Sequence, residues 1–280
     1  MLHHTFVHLP GVGIKTERSL WQKGIHSWDI FREEHGRSSS PFGQKKYEAL
    51  SAHIELCGDR LDALDAAYFA AGMPPRLLWR LFPDFRACAA YLDIETTGLG
   101  GPSDHITTAA IYDGTRLFHY IHGKNLDRLP DDLMKYKLLI TYNGACFDLP
   151  FIRNYFSIPI EHAHIDLRFL LAGLGYRGGL KGCEKSLGLD RGDLDGVDGY
   201  FAVLLWHEYR KGNRKALETL LAYNMADVVN LENLMVQAFN MEVAKTPFND
   251  LKLPLPCAPP IEFHPDPALI ADLRRRYLFV

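Results

Sequence analysis

Tyr91-Leu92-Asp93-Ile94-Glu95-Thr96-Thr97-Gly98 decides how the rest of the chain is read. An apolar run from Ala89 to Leu92 leads into it, and two carboxylates follow with one apolar residue between them. Along a strand successive side chains alternate in direction, so Asp93 and Glu95 share one face while Leu92 and Ile94 point to the other, into a core. Gly98 lets the chain turn away directly after the acids. Two like charges side by side at the end of a buried strand repel each other unless a cation lies between them. Carboxylate oxygens suit magnesium and manganese, so a divalent ion is one reading of the pair. A solvent-facing acidic pair at a strand end is the other.

Working outward, Ile106 to Tyr112 and Arg116 to Ile121 are rich in β-branched and aromatic residues, and Asp113-Gly114 between them is a two-residue hairpin signal. Leu138 to Thr141 reads as a fourth short strand, Phe147 to Phe156 as a helix, and Ala163 to Asp166 as a brief strand. Helices are expected over Leu180 to Leu187, Tyr200 to Tyr209 and Arg214 to Phe239. Hairpin-joined strands followed by strand–helix alternation predict an α/β fold, a mixed sheet with helices packed on it. Asn143-Gly144-Ala145-Cys146-Phe147-Asp148 falls at a strand-to-helix junction, where α/β proteins commonly place ligands. Tyr223 and Asp227 are four apart in the long helix and so share a face.

Residues 1–85 read as a small helical domain. Leu9-Pro10-Gly11-Val12-Gly13 is a glycine turn before a helix over Thr16 to Lys23, and Ser27 can cap the next helix, Trp28 to Glu34. Further helices are expected over Gly43 to Cys57, Leu61 to Ala71 and Pro75 to Leu81, with a loop at Ser38-Ser39-Ser40-Pro41. Residues 86–242 hold the sheet and its helices, and 243–280 form a proline-rich tail with a basic turn or helix at Ala271 to Tyr277.

The formal charge of −3 over 280 residues gives no global positive field, so any nucleic-acid contact must come from local patches. Five scattered cysteines without a CxxC pair argue against a disulfide framework and a zinc ribbon. Met1-Leu2-His3-His4 has no basic leader, and no apolar run reaches membrane-spanning length, so the expectation is a soluble cytoplasmic protein without a membrane partner.

Taken together and in order, Asp93-Ile94-Glu95-Thr96-Thr97-Gly98, Asn143 to Asp148 and Tyr223 to Asp227 resemble the three exonuclease motifs of the DEDD superfamily. The histidine branch of that superfamily carries its histidine five residues before the last Asp, where Ala222 stands; Tyr223 fits the tyrosine branch. The runs from Leu180 to Leu189, Tyr200 to Asn213 and Leu220 to Leu234 are similar to the YprB-type ribonuclease-H-like family. The resemblance implies an RNase H-like fold and a metal-dependent 3′→5′ exonuclease acting on single-stranded 3′ ends of DNA or RNA. It implies that Asp93, Glu95, Asp148 and Asp227 hold two divalent ions, Mg2+ or Mn2+, with Asp93 bridging, and that Tyr223 orients the attacking water. Backbone at Ile94 to Thr97, including Thr96 and Thr97, would hold the terminal nucleotide, Leu99 would pack on its base, and Asn143 would support the site. Lys181, Lys185 and Arg177 are candidate phosphate contacts. The glycine turn resembles the second half of a helix-hairpin-helix motif, which makes Gly11 and Gly13 candidate phosphate contacts; only eight residues precede Leu9, too few for that motif's first helix.

Two other classes stay open: a nucleic-acid-binding module with a little-used site, and an endonuclease of the same fold. Gly173-Leu174-Gly175-Tyr176-Arg177-Gly178 fits a dinucleotide-binding spacing but not its strand–helix context, and reads as a loop. His162 and His164, like His119 and His122, lack zinc-site spacing. Asp166 is read as the cap of a following helix, and Trp206 and Tyr209 as core.

Overall fold

The computed structural model describes residues 1–34 and 42–277, so the loop expected at Ser38-Ser39-Ser40-Pro41 lies outside the described residues. The chain begins with a single 3-10 turn at Leu2–His4, followed by α1 (Ile14–Gln22), α2 (Trp28–Glu33), α3 (Gln44–Asp62), α4 (Ala66–Gly72), a 3-10 stretch over Pro75–Leu81 and a short α5 (Phe82–Phe85). Ser27 caps α2 by accepting from the Ile30 amide. The helix expected over Leu61 to Ala71 is broken. α3 runs on to Asp62, Leu64 adopts φ 52°, and the Asp65 side chain accepts from the Tyr68 amide to start α4 afresh. A local side-chain cap has overridden continuous helical propensity.

The sheet comprises β1 (Ala89–Thr96), β2 (Ile106–Tyr112), β3 (Leu117–Ile121), β4 (Leu138–Thr141) and β5 (Ala163–Asp166), in the order β3-β2-β1-β4-β5. β1 is central, antiparallel to β2 and parallel to β4, and β4 is parallel to β5. Because β1, β4 and β5 run the same way, their C-terminal ends meet at one edge of the sheet. Between and after the strands lie α6 (Leu129–Leu133), α7 (Asp148–Phe156), α8 (Leu167–Gly173), α9 (Gly179–Ser186), α10 (Gly199–Arg210), α11 (Arg214–Val243) and α12 (Pro267–Tyr277). The expected mixed sheet flanked by helices is present.

The pleat sorts β1 as its alternation demands. Ala90, Leu92 and Ile94 are buried with Leu129, Leu133 and Ile152 from α6 and α7. Tyr91 faces the opposite side, in a core shared with Met225 and Val228 of α11. No helix among the described residues is long and apolar enough to cross a membrane. The N-terminal helices pack on the second half of α11: Trp79 and Phe82 lie 5.6 and 6.1 Å from the Phe239 ring, and Arg86 bonds Glu232 at 2.6 Å. In the tail, Asn240 exchanges two 2.8 Å bonds with the Leu253 backbone, and Ile270 and Leu273 of α12 pack against α10 and α11. The basic run makes surface contacts within the chain: Arg274 donates to the Asp195 carbonyl, Arg275 pairs with Asp272, and Arg276 pairs with Asp272 and Glu208.

One buried ion pair organises the N-terminal helices. Glu17, in α1, accepts from the Phe6 and Val7 amides at 2.7 and 3.2 Å and from Arg80 at 2.9 Å, and both charged side chains are buried. Removing one member of such a pair strands the other charge. Glu17→Gln is therefore expected to cost on the order of 3 kcal/mol, read as a lowered urea midpoint; an unchanged midpoint would contradict this.

Candidate functional site

At the converging strand ends, Asp93, Glu95 and Asp227 each present a carboxylate oxygen, and the three oxygens lie within 4.8 Å of one another. Asp93 and Glu95 reach that point because the pleat sends both towards α11. A register irregularity between Glu95 and Thr96 ends the regular pairing just beyond them. Tyr223 and Asp227 come from one face of α11, as their spacing predicts, and line the same cleft of ≈ 720 Å³. Asp148, first residue of α7, also lines the cleft but stands outside the three-carboxylate cluster. It accepts from the Ile94 amide at 3.1 Å, which ties α7 to the middle of β1.

The acids are expensive to keep together. Burial raises Asp93 to about 6, against a hydrogen bond from Asn224 that lowers it. Glu95 and Asp148 are raised well above the ordinary carboxylate range, first by burial and then by the charge of Asp93. Asn224 donates to Asp93 Oδ2 at 2.7 Å and to its backbone carbonyl at 3.3 Å, fixing the carboxylate's orientation. Arg191 pairs with Asp227 and reaches Glu184 at 3.1 Å. Lys181 Nζ lies 3.9 Å from Asp227 Oδ1 and 3.9 Å from the Tyr223 ring centroid. Burial, then the neighbouring Arg191, lowers Lys181 to about 7, and its Nζ has no hydrogen-bond partner among the described residues. Burial first, then Glu95 and Asp93, pushes the Tyr223 phenol well above its usual value.

The remaining expected positions divide. Asn143 lines the cleft at φ 68°, its amide donating to Asp166 and its side-chain oxygen accepting from Arg168. The adjoining Gly144 is required by close approach, since a Cβ there would sit 2.2 Å from Thr141 Oγ1. Arg177 lines the cleft; Lys185 is exposed and does not. Ile94 lines it as well, with its amide already given to Asp148. Thr96, Thr97 and Leu99 do not line it. Thr96 donates to the Gly98 carbonyl, Thr97 engages Asp104 and His105, and Leu99 is 93% exposed. The chain bends at Gly98 as expected, without a positive φ; its glycine matters because a Cβ would stand 2.5 Å from the Asp104 carboxylate. Gly11 and Gly13 lie outside the cleft; Gly11, at φ 68°, accepts from Lys46, and Gly13 is the N-cap position of α1.

Two contributors, Asn224 and Arg191, escaped sequence reasoning, whereas Asp166 did not. Asn224 lies between Tyr223 and Met225, but its partner is 131 residues away. Arg191 sits in a loop without periodicity. Asp166 caps α8, as expected, and in addition receives the Asn143 and Ala145 amides, holding the turn after β4. The histidines expected not to bind zinc are engaged elsewhere: His162 with the Leu133 carbonyl and His164 with Thr141. The glycine-spaced segment joins α8 to α9, without a strand before it. Trp206 is buried and Tyr209 packs beside it, as expected of core.

The donor set fits a hard divalent cation: oxygen ligands only, mutually repelling, with no Cys or His joining the cluster among the described residues. Residues 90–239 match the sequence profile of the RNase H superfamily. None of the curated proteins matches the chain. Among solved structures, it is similar to the family B DNA polymerase from the hyperthermophilic archaeon Pyrobaculum calidifontis, with 14% identity and a TM-score of 0.43 over 56% of this chain. The match spans only 24% of the polymerase.

A raised carboxylate binds protons more readily folded than unfolded, so its ionisation costs stability as pH climbs above the unfolded value. Asp93→Asn is thus expected to raise the Tm of metal-free protein at pH 7, an advantage that fades as pH falls below about 6 and is gone below 3.8. A variant less stable than wild type at pH 7 would contradict the electrostatic account.

Proposed function

Because the chain belongs to the RNase H superfamily, we propose that it is a metal-dependent 3′→5′ exonuclease of the tyrosine-bearing DEDD branch, hydrolysing phosphodiester bonds at single-stranded ends of DNA or RNA. The observation that carries this reading is the gathering of Asp93, Glu95 and Asp227 oxygens within 4.8 Å, with Tyr223 in the same cleft. Asp93, Glu95 and Asp227, with Asp148 beside them, would hold two divalent ions, Mg2+ or Mn2+. Bound there, the ions supply an activated water and neutralise charge at phosphorus and at the leaving 3′ oxygen.

The protein's own groups do the positioning. Asn224 holds Asp93 in one orientation, and the Ile94 amide does the same for Asp148. Tyr223 stays a neutral phenol, since burial and the nearby carboxylates oppose its ionisation. It orients the attacking water by hydrogen bonding rather than by taking its proton. Lys181, a buried donor without an acceptor, serves the phosphate. Residues 1–85 and 243–280 are read as additions to the nuclease domain at 86–242, in a protein of the cytoplasm.

The test is cleavage of 5′-labelled single-stranded DNA and RNA with Mg2+, with Mn2+ and with EDTA, beside a covalently closed circle. The expected result is a metal-dependent ladder shortening from the 3′ end with the circle intact; a cut circle would replace the exonuclease with an endonuclease. Asp93→Ala is expected to abolish cleavage, and retained activity would remove the metal mechanism. Tyr223→Phe should lower kcat on the order of a hundredfold with Mn2+ affinity unchanged; a wild-type rate would remove the assigned role.

A further inference from the structure

A second concavity, of ≈ 680 Å³, opens on the far side of α8 from the catalytic cleft. α8 and the turn after β4 form the common wall: Asn143, Arg168 and Ala172 face the cleft, while Ala145, Phe169 and Gly173 face the groove. The opposite wall comes from the N-terminal helices, with Ile14 and Arg18 of α1 and Arg76 to Trp79 of the 3-10 stretch. Both arginines are exposed, and neither has an ion-pair partner among the described residues. The groove's acids are already engaged. Asp166 is taken by three backbone amides, and Glu242 pairs with Lys245 at 2.8 Å. With Glu242 offset by Lys245, Arg18 and Arg76 against Asp166 leave an excess of positive charge, although the chain as a whole carries −3.

Apolar surface accompanies that charge. The Phe169 ring is 58% exposed on the ridge between the two concavities, with the Arg168 guanidinium 5.8 Å from its centroid. Trp79 lies beneath the groove, buried at 2% exposure, and its indole N–H has no acceptor among the described residues. An exposed aromatic ring facing unpaired guanidinium groups across the groove, with only α8 between groove and cleft, matches a base-stacking platform with phosphate contacts. A protein partner would find the aromatic and the arginines as well, but the α8 wall shared with the cleft favours the strand itself.

We infer that the groove between α1, the Pro75–Leu81 stretch and α8 binds the single-stranded nucleic acid behind the nucleotide in the cleft. This rests on the nuclease reading, and it makes the N-terminal helices one side of the substrate track. Phe169 stacks a base as the strand crosses the ridge, and Arg18 and Arg76 neutralise phosphates beyond it.

The experiment compares wild type, Phe169→Ala and the double variant Arg18→Glu/Arg76→Glu, all at exposed positions. Fluorescence anisotropy measures binding of labelled DNA and RNA strands of about 12 nucleotides in EDTA, across a salt series. Hydrolysis of the p-nitrophenyl ester of thymidine 5′-monophosphate, too short to reach the groove, is followed with Mn2+. The expected result is about tenfold weaker strand binding for each variant, a shallower salt dependence for the double variant, and ester hydrolysis at the wild-type rate. Strand affinity equal to wild type in both variants overturns the inference and leaves the groove to a protein partner or to none. An ester that wild type leaves intact overturns the nuclease reading alone, and the binding measurements still decide the groove. The DNA and RNA arms show which sugar the track accepts.

Discussion

Mutual repulsion among Asp93, Glu95 and Asp227 is the constraint on which the architecture turns. Their oxygens lie within 4.8 Å in a largely buried setting, where Asp93 and Glu95 resist ionisation. A fold that only needed stability would place apolar residues there. Instead the central strand and the longest helix are aimed so that their acids converge, and the surroundings are built to tolerate it. Asn224 donates to Asp93, the Ile94 amide to Asp148, and Arg191 and Lys181 press in from the α9 side. Divalent cations held there, as proposed, would balance part of the negative charge and let the cleft receive a phosphodiester.

The sheet is the frame for this convergence. Parallel β1, β4 and β5 deliver Glu95, Asn143 and Asp166 to one edge, and α11 crosses beside them carrying Tyr223 and Asp227. α11 serves both ends of the molecule. Its first half meets the cleft and α10, and its second half anchors the N-terminal helices through Phe239 and Glu232. Movement of those helices would therefore be felt along the same helix that holds two residues of the cleft. The Glu17–Arg80 pair keeps α1 and the Pro75–Leu81 stretch in one arrangement, which also sets the width of the groove beside α8.

Much of this was legible in the sequence, for physical reasons that also explain what was not. β2, β4 and β5 begin and end where the sequence predicts them, and Asp113-Gly114 marks the hairpin. Asp93 and Glu95 share a face by the period of a strand, Tyr223 and Asp227 by that of a helix. Local periodicity could not reveal the break at Leu64 and Asp65, where one side chain caps a new helix inside an apparently continuous one. Nor could it find Asn224 and Arg191, whose roles are contacts between distant segments. Asp148 shows the limit from the other side. Its motif placed it in the cleft, but its bond to Ile94 and its distance from the three-acid cluster are tertiary facts.

The central claim is that the raised carboxylates form a site for a divalent cation. Titrating Mn2+ into the metal-free protein near neutral pH, in buffers of different ionisation enthalpy, tests it most directly. Saturable binding with release of protons, both lost in Glu95→Gln, is the predicted result. Absence of binding, or binding that Glu95→Gln leaves undiminished, would contradict the account.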